Sequence, residues 1–489
     1  MTPLNVNVTA ADLAAVGPEI ALSLFGILIV LLDAFFRPSR PALPFVALAG
    51  LFLANVGSRY APGTYFSGAI EVSDLTRFVD LLAVAAAILA VLGGSQLLAR
   101  DRRNHGEFYA ILLWCAAGLM LMVKGNDLLV VFVGLELMSI GLYVLATWYR
   151  DVPESAEAGM KYFLMGAFSS AFFLFGAATV YGRTGTTTLS ELAGLSTSHA
   201  LLLDPLLAVG LLALLAALAF KLSLVPFHAW APDVYQGMTT PAVAFLSTAP
   251  KAAAILVLVR LLHSLSPTGL AEPWAPLLAL LSTASILFGN VVALAQRDVK
   301  RMLAYSGIAQ MGYAAIALAT FTPEALEGLL VFLAGYLVTN VAAFLALAAL
   351  SAGEKEAHPL ADLAGLGRQR PGAAAVLTLS MLSLAGLPPT VGFIGKLFVF
   401  RAAVDAGLVW LALAGIAGSL VSVGFYFRVV YFLWMKEASR EVSMPEEDAM
   451  SGAAHLLVAT GMLVLGVLPR PLLDIARSAA AALPLGFLR

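Results

Sequence analysis

The chain has little charge, almost no cysteine and no metal-ligand spacing. Of 489 residues, 12% are charged and 61% hydrophobic, whereas a soluble domain carries about 25% charged residues. This excludes a soluble globular protein and implies an all-α polytopic membrane protein whose spans form one integral bundle. The net charge is -2, and no basic run suggests a nucleic-acid partner. The single cysteine, Cys115, cannot close an intrachain disulfide, and an iron–sulfur cluster normally takes four thiolates. In its apolar stretch it reads as a small hydrophobe. Six histidines are scattered without metal-ligand spacing, so neither a metal nor a redox cofactor is expected in this chain. The N-terminus, MTPLNVNVTAADLAAVGPEI, lacks the charged start, apolar core and cleavage site of a signal peptide. The first span is expected to begin near Val16 and to remain.

What the chain has in abundance is apolar runs. Windows of about 20 apolar residues mark spans. They fall at 16–36, 42–59, 78–99, 107–123, 127–148, 160–181, 205–230, 240–263, 274–296, 302–321, 325–350, 372–403, 408–435 and 452–470, which makes fourteen. An amphipathic stretch at 471–486 could extend the last helix. Loops after odd-numbered spans hold most of the basic residues: Arg37, Arg40, Arg100, Arg102, Arg103, Arg150, Arg297, Lys300, Arg301, Lys355, Arg368, Arg370, Lys436 and Arg440. Loops after even-numbered spans hold Arg59, Arg77, Lys124 and Arg183. The positive-inside bias puts the odd side in the cytoplasm and both termini outside.

Two spans are expected to be broken. Span seven contains Pro226 and Pro232; span twelve contains Gly386, Pro388, Pro389 and Gly392. Proline removes a backbone donor and clashes with the preceding turn. Irregular backbone at membrane depth is tolerated only inside protein or along a wet cavity. Two broken helices five spans apart point to inverted repeats with a site near the midplane. Structural proline kinks are the alternative.

Four charged residues fall inside spans: Glu136 in span five, Lys221 in span seven, Lys251 in span eight and Lys396 in span twelve. A charge at bilayer depth is costly, about 2.5–3.5 kcal/mol on insertion scales, and usually marks an ion or proton route. Lysine suits a relay because desolvation disfavours its charged form and a nearby carboxylate restores it. The structural alternatives are a neutral carboxyl for Glu136, an inert ion pair for Lys251, and snorkelling to the interface for Lys221 and Lys396. Glu107, Lys161 and His228 are secondary candidates. Glu107 could simply favour a helix N-terminus, Lys161 could anchor at the interface, and His228 could be a satisfied buried histidine. Glu19 and Asp33, at the ends of span one, read as interfacial or packed.

The runs FKLSLVPFHAWAPDVYQGMTTPAVAFLSTAPKAA, QRDVKRMLAYSGIAQMGY and SLAGLPPTVGFIGKLFVF resemble the antiporter-like membrane subunits of respiratory complex I. Their variants PDVYQG, STAPKAA and GLPPTVGFIGK are closest to the N type. The resemblance implies about fourteen helices with two inverted five-helix repeats and discontinuous helices seven and twelve. It divides the chain into an N-terminal three-helix segment (1–106), a first repeat (107–263), a second repeat (274–435) and a C-terminal region (436–489). It further implies a proton relay in which Glu136 pairs with Lys221, Lys251 connects, and Lys396 ends the path. Glu107 and Lys161 match positions that carry charge in similar proteins. Gln310 departs from the pattern, since relatives often have histidine there, and it cannot titrate.

The same resemblance implies that NADH, flavin, iron–sulfur clusters and quinone belong to partner subunits of an NADH:quinone oxidoreductase. The expected partners are other membrane-arm subunits, including further antiporter-like ones, in a bacterial cytoplasmic membrane. Two rivals stand beside this reading: a subunit of a multisubunit cation/proton antiporter, and a membrane scaffold whose buried charges are inert.

Overall fold

The computed structural model describes residues 8–36, 41–58, 60–100, 105–195, 204–265, 274–351, 359–437 and 448–483. An N-terminal group holds α1 (Ala10–Ala15), α2 (Gly17–Phe35), α3 (Leu43–Gly57) and α4 (Asp74–Arg100), with a small antiparallel hairpin, β1 (Gly63–Tyr65) and β2 (Ile70–Val72), between α3 and α4. There follow α5 (Gly106–Lys124), α6 (Leu128–Ala146), α7 (Pro153–Thr184), α8 (Leu189–Leu195), α9 (Pro205–Leu222), α10 (Ala231–Gly237), α11 (Thr240–Leu246) and α12 (Ala249–Leu265). The second half holds α13 (Trp274–Ala295), α14 (Val299–Thr320), α15 (Pro323–Leu350), α16 (Leu366–Gln369), α17 (Pro371–Ala385), α18 (Val391–Asp405) and α19 (Val409–Trp434). The last two helices are α20 (Ala449–Val467) and α21 (Arg470–Ala481).

Among the described residues, twelve helical stretches are long and apolar enough to cross a membrane, and α3 and α17 are shorter apolar helices. With α17 and α18 as two halves of one broken span, these match the fourteen expected positions. The caps explain many of the boundaries. Asp127, Asp204, Asp298, Thr322 and Asp448 each accept a hydrogen bond from a backbone N–H in the first turn of α6, α9, α14, α15 and α20, satisfying donors that no helix can satisfy itself.

Burial sorts the helices. The α11–α12 stretch, α14 and α15 are almost wholly enclosed, whereas α2, α7 and α20 expose most of their apolar surface, as lipid-facing helices do. The two halves repeat one packing scheme. Helix α5 packs on α6 and on α12, as α13 packs on α14 and on α19; α7 packs on α9, as α15 packs on α17 and α18. Glycines set the close crossings in both halves. A Cβ on Gly134 would lie 2.3 Å from the Met122 nitrogen, and one on Gly289 would lie 2.7 Å from the Ala309 nitrogen. Only small residues let helix backbones approach this closely.

Both expected breaks are present, but their geometry differs from a simple proline kink. Helix α9 stops at Leu222, before Pro226, because Ser223 turns left-handed (φ 58°). Helix α17 stops at Ala385 because Gly386 does the same (φ 84°). In each case the next residue bonds back across the end: the Leu224 N–H donates to Ala219 and the Leu387 N–H to Leu382. This is one C-terminal capping motif used twice. Each break also holds a cis X–Pro bond, Val225–Pro226 and Pro388–Pro389. Gly392, expected in the second break, lies in the first turn of α18.

Other expectations need correction. A third interruption, at Ser247 and Thr248, divides span eight into α11 and α12 just before Lys251. Pro250, in the first turn of α12, marks it in the sequence beside the Ser-Thr pair, and Asn340 of α15 donates to Ser247 Oγ there at 2.7 Å. Span six begins at Pro153, so Lys161 stands two turns inside α7. The 471–486 stretch does not extend the last span; α21 is separate, because α20 ends at Val467 before Pro469. Arg77, Lys124 and Arg183 lie on helices, not in loops, and so do Lys300 and Arg301. Lys124 and Lys300 are in addition buried. Their positive charges are held inside protein and do not bear on topology as loop charges would. Arg37, Arg40, Arg59, Arg102, Arg103, Lys355 and Arg440 lie outside the described residues.

Candidate functional site

Lys221 occupies the last turn of α9, beside the first break. Its ammonium does not snorkel outward. Nζ donates to Ser139 Oγ of α6 at 2.8 Å and lies 5.6 Å and 5.9 Å from the rings of Tyr143 and Tyr162, within cation–π range. Glu136 stands on the same helix as Ser139, but it accepts from Ser170 Oγ of α7 and makes no ion pair with Lys221. The two charges share a neighbourhood without contact. The open carbonyl end of α9 is satisfied by the Trp230 indole, which donates to Phe220 at 2.9 Å. The Val225 N–H, freed by the break, donates to Ser285 of α13 at 2.9 Å. The first half thus closes its irregular backbone with a side chain from the second, as buried polar backbone requires.

Lys251, in the first turn of α12, is 1% exposed. Its Nζ has no hydrogen-bond partner among protein groups, and neither have the hydroxyls of Tyr235 and Tyr336. All three converge on Gly307 of α14. A Cβ there would lie 3.2 Å from Lys251 Nζ, 3.3 Å from Tyr336 Oη and 3.9 Å from Tyr235 Oη. Gly307 therefore turns its bare Cα toward three polar groups that have no protein partner.

Lys396, in the second turn of α18, reaches back to the open end of α17. It donates to the carbonyl of Leu384 at 2.8 Å and to Ser419 Oγ of α19 at 3.1 Å, with the Tyr313 ring 4.6 Å away. A cation at the negative end of a helix is favourably placed. Gln310 of α14, one turn beyond Gly307, donates to the same Leu384 carbonyl at 3.0 Å. The Tyr426 hydroxyl is also within reach of Gln310, and it bonds Ser306. Ser306, Gly307 and Gln310 of α14 thus stand between the Lys251 group and Lys396.

The secondary candidates stand off this line. Glu107 is exposed at the start of α5. Its ligand-type atoms, with those of Asp33 and His105, lie within 4.8 Å of one another, a grouping that the spacing of the histidines did not reveal. Asp33 there accepts the Gly106 N–H at 2.7 Å, so the grouping reads as acids gathered at a helix N-terminus. Lys161 is part-exposed and bonds Asp233 of α10 at 2.6 Å; Asp233 also pairs with Arg301 of α14. His228 is half-buried against Phe288, ring centroids 4.5 Å apart, with Nδ1 unpaired. Buried residues missed in the sequence are Lys300, which donates to the Met238 carbonyl, and Asp80, which with Glu19 flanks Lys124. Both lysines sit at helix ends, where hydropathy windows assign them to loops. A charge so close to an end reads as solvated unless the packing is known.

A bundle of spanning helices with three interruptions, and buried lysines beside them, defines a polytopic membrane protein of the antiporter-like class. Residues 125–422 match the family described as NADH:quinone oxidoreductase/Mrp antiporter, transmembrane, and the chain belongs to that family. It is 39% identical to the NADH-quinone oxidoreductase subunit N of Trichlorobacter lovleyi, over 97% of this chain and 99% of that one. A chain of respiratory complex I from Thermus thermophilus superposes with a TM-score of 0.81 at 34% identity, covering 94% of this chain and 99% of that one. A chain of the Mrp complex from Dietzia also has a TM-score of 0.81, at 22% identity, covering 95% of this chain and 97% of that one; at that distance the likeness is of fold alone.

Proposed function

We propose that this chain is the proton-translocating N-type subunit of a bacterial NADH-quinone oxidoreductase, moving protons along Glu136, Lys221, Lys251 and Lys396. The observation that carries the reading is the placement of the three lysines. Each stands beside a helix interruption, each is buried, and each ends on an interior polar group or an enclosed polar point. Glu136, bonded to Ser170, supplies the charge that biases Lys221 without neutralising it by contact. Ser139 gives the Lys221 ammonium a partner. Gly307 opens the centre around Lys251, and Gln310 orders the stretch to Lys396 by bonding a carbonyl that Lys396 also uses. Since glutamine cannot titrate, Gln310 positions its neighbours and carries no proton.

In this reading, partner membrane-arm subunits flank the chain, and NADH, flavin, iron–sulfur clusters and quinone act in other subunits. The one cysteine here could supply at most one of the four thiolates a cluster normally takes. The chain lies in the cytoplasmic membrane with both termini on the outer side. The reading divides the chain into an N-terminal group (1–106), two five-helix repeats (107–263 and 274–435) and a C-terminal region (436–489). Equivalent helices five crossings apart run in opposite directions, which makes the second repeat inverted.

The test is proton pumping by the reconstituted complex carrying Lys221→Ala, measured with NADH oxidation after assembly is confirmed. The expected result is that both fall together, as for a residue on an obligatory coupled path. Pumping and oxidation near wild type would overturn the assignment and make the buried lysines structural.

A further inference from the structure

Three ionisable side chains outside the lysine line meet between α2, α4 and α5. Lys124 is the last residue of α5, Asp80 lies in the second turn of α4, and Glu19 lies in the first turn of α2. Their exposures are 1%, 0% and 8%. Lys124 Nζ donates to Glu19 Oε1 at 2.7 Å and lies 3.4 Å from Asp80 Oδ2; the Ala15 carbonyl is a further acceptor at 3.4 Å. Neither oxygen of Asp80 accepts a hydrogen bond, and Glu19 Oε2 accepts none.

Nearby charges are committed elsewhere. Arg77, one turn before Asp80, bonds Asp74 at 2.9 Å and the Tyr60 carbonyl. Arg260 of α12 bonds Glu71 of β2 at 2.7 Å and the carbonyls of Val123 and Gly125. Asp12 of α1 accepts from Thr9 and Phe66, and Asp127 before α6 accepts from Leu129 and Thr187. Helices α3 and α11 carry no ionisable side chain. On α15 and α21, Glu327 pairs with Arg477, and Glu324, Arg470 and Asp474 are exposed. Asp33 and Glu107 lie at the opposite ends of α2 and α5, and His455 is two turns along α20 from the contact between Asp448 and Ser95 near the far end of α4.

Two carboxylates and one ammonium leave one surplus negative charge in a closed apolar setting. Protein interiors do not keep such a charge uncompensated. A proton on either carboxyl makes the cluster neutral and converts an acceptor-only group into one that can donate. Two acids brought together at one site are also the arrangement in which one holds its proton most firmly. We propose that Glu19, Asp80 and Lys124 form a buried proton-binding site, holding one exchangeable proton on the carboxylate pair. The site stands apart from the lysine relay and does not depend on it. It sits at the ends of α2, α4 and α5 nearest the β1–β2 hairpin. Losing its proton turns a neutral cluster into an anion around Lys124.

The test is infrared difference spectroscopy on the full-length protein in its purified membrane complex, with Asp80→Asn and Glu19→Gln each compared with wild type. Each substitution leaves one carboxylate opposite one ammonium, so each is expected to remove one deuterium-sensitive carboxylic-acid band per chain. Lys124→Met, which removes the ammonium, is expected to add a second such band. If Asp80→Asn does not assemble, Glu19→Gln alone decides. A wild-type band unchanged in the assembled variants would overturn the proposal. So would a wild type showing only carboxylate bands that respond to sodium, because the compensating charge would then be a metal cation.

Discussion

Gln310 of α14 and Lys396 of α18 donate to one acceptor, the carbonyl of Leu384, at 3.0 Å and 2.8 Å. That carbonyl is open because α17 ends at the next residue. One broken helix end therefore binds the terminal lysine to the helix that also passes Lys251. Replacing Gln310 with Leu removes two neutral hydrogen bonds, to Leu384 and Tyr426, each worth about 0.5–1.5 kcal/mol, and leaves Lys396 without its ordering neighbour. Proton uptake by reconstituted vesicles is expected to slow with assembly intact. Gln310→His, which restores a donor, is expected to recover it.

Gly307→Ala probes the centre of the line. The added methyl would stand 3.2 Å from Lys251 Nζ and 3.3 Å from Tyr336 Oη, tighter than ordinary contact. Overpacking of this kind costs about 1–3 kcal/mol, and the methyl presses on the Lys251 ammonium and the Tyr336 hydroxyl. The expected outcome is an assembled complex with reduced pumping, measured against subunit content.

The two capping residues should respond in opposite ways. Gly386→Ala forces a side chain into left-handed backbone and places its Cβ 3.0 Å from Lys396 Cδ. The backbone alone costs about 1–2 kcal/mol, so lower thermal stability and weaker pumping are expected. Ser223 already pays that cost, and its hydroxyl has no partner. Ser223→Gly is expected to raise thermal stability and leave pumping intact.

Outside the spans, Asp12 ties α1 to the β1–β2 hairpin. Its carboxylate accepts the Phe66 N–H at 2.6 Å and the Thr9 N–H and hydroxyl at 2.8 Å and 2.7 Å. These donors, Phe66 foremost, hold the carboxyl below the ordinary aspartate range. A depressed folded value means the contribution to stability is complete above the unfolded aspartate range and is lost as pH falls through the folded one. Hydrogen exchange at Phe66 should stay slow as pH falls through the ordinary carboxylate range and quicken only below it. Asp12→Asn should quicken it at neutral pH.

Much was legible in the sequence. Apolar runs placed the spans because a bilayer demands length and apolarity along one continuous segment. Pro388, Pro389 and Gly386 marked the second break, and Pro226 the first, since each changes local backbone options. Lys221, Lys251 and Lys396 stood out because nothing local could justify a charge in those runs. Other features depend on neighbours far along the chain. Ser223 has no sequence signature of a left-handed turn, and the hydrogen bond from Asn340 to Ser247 joins residues far apart in the chain. Lys221 bonds Ser139 and Glu136 bonds Ser170, not each other.

The sequence by itself determined the class of protein, the number of spans and the set of buried lysines, because hydropathy and proline chemistry act locally. Only the tertiary structure decided which polar groups meet. It joined Gln310 and Lys396 at one carbonyl, gathered three unpaired groups around Gly307, and enclosed Lys124 with Glu19 and Asp80. Contacts between residues far apart in the chain are set by helix packing, and packing has no local signature.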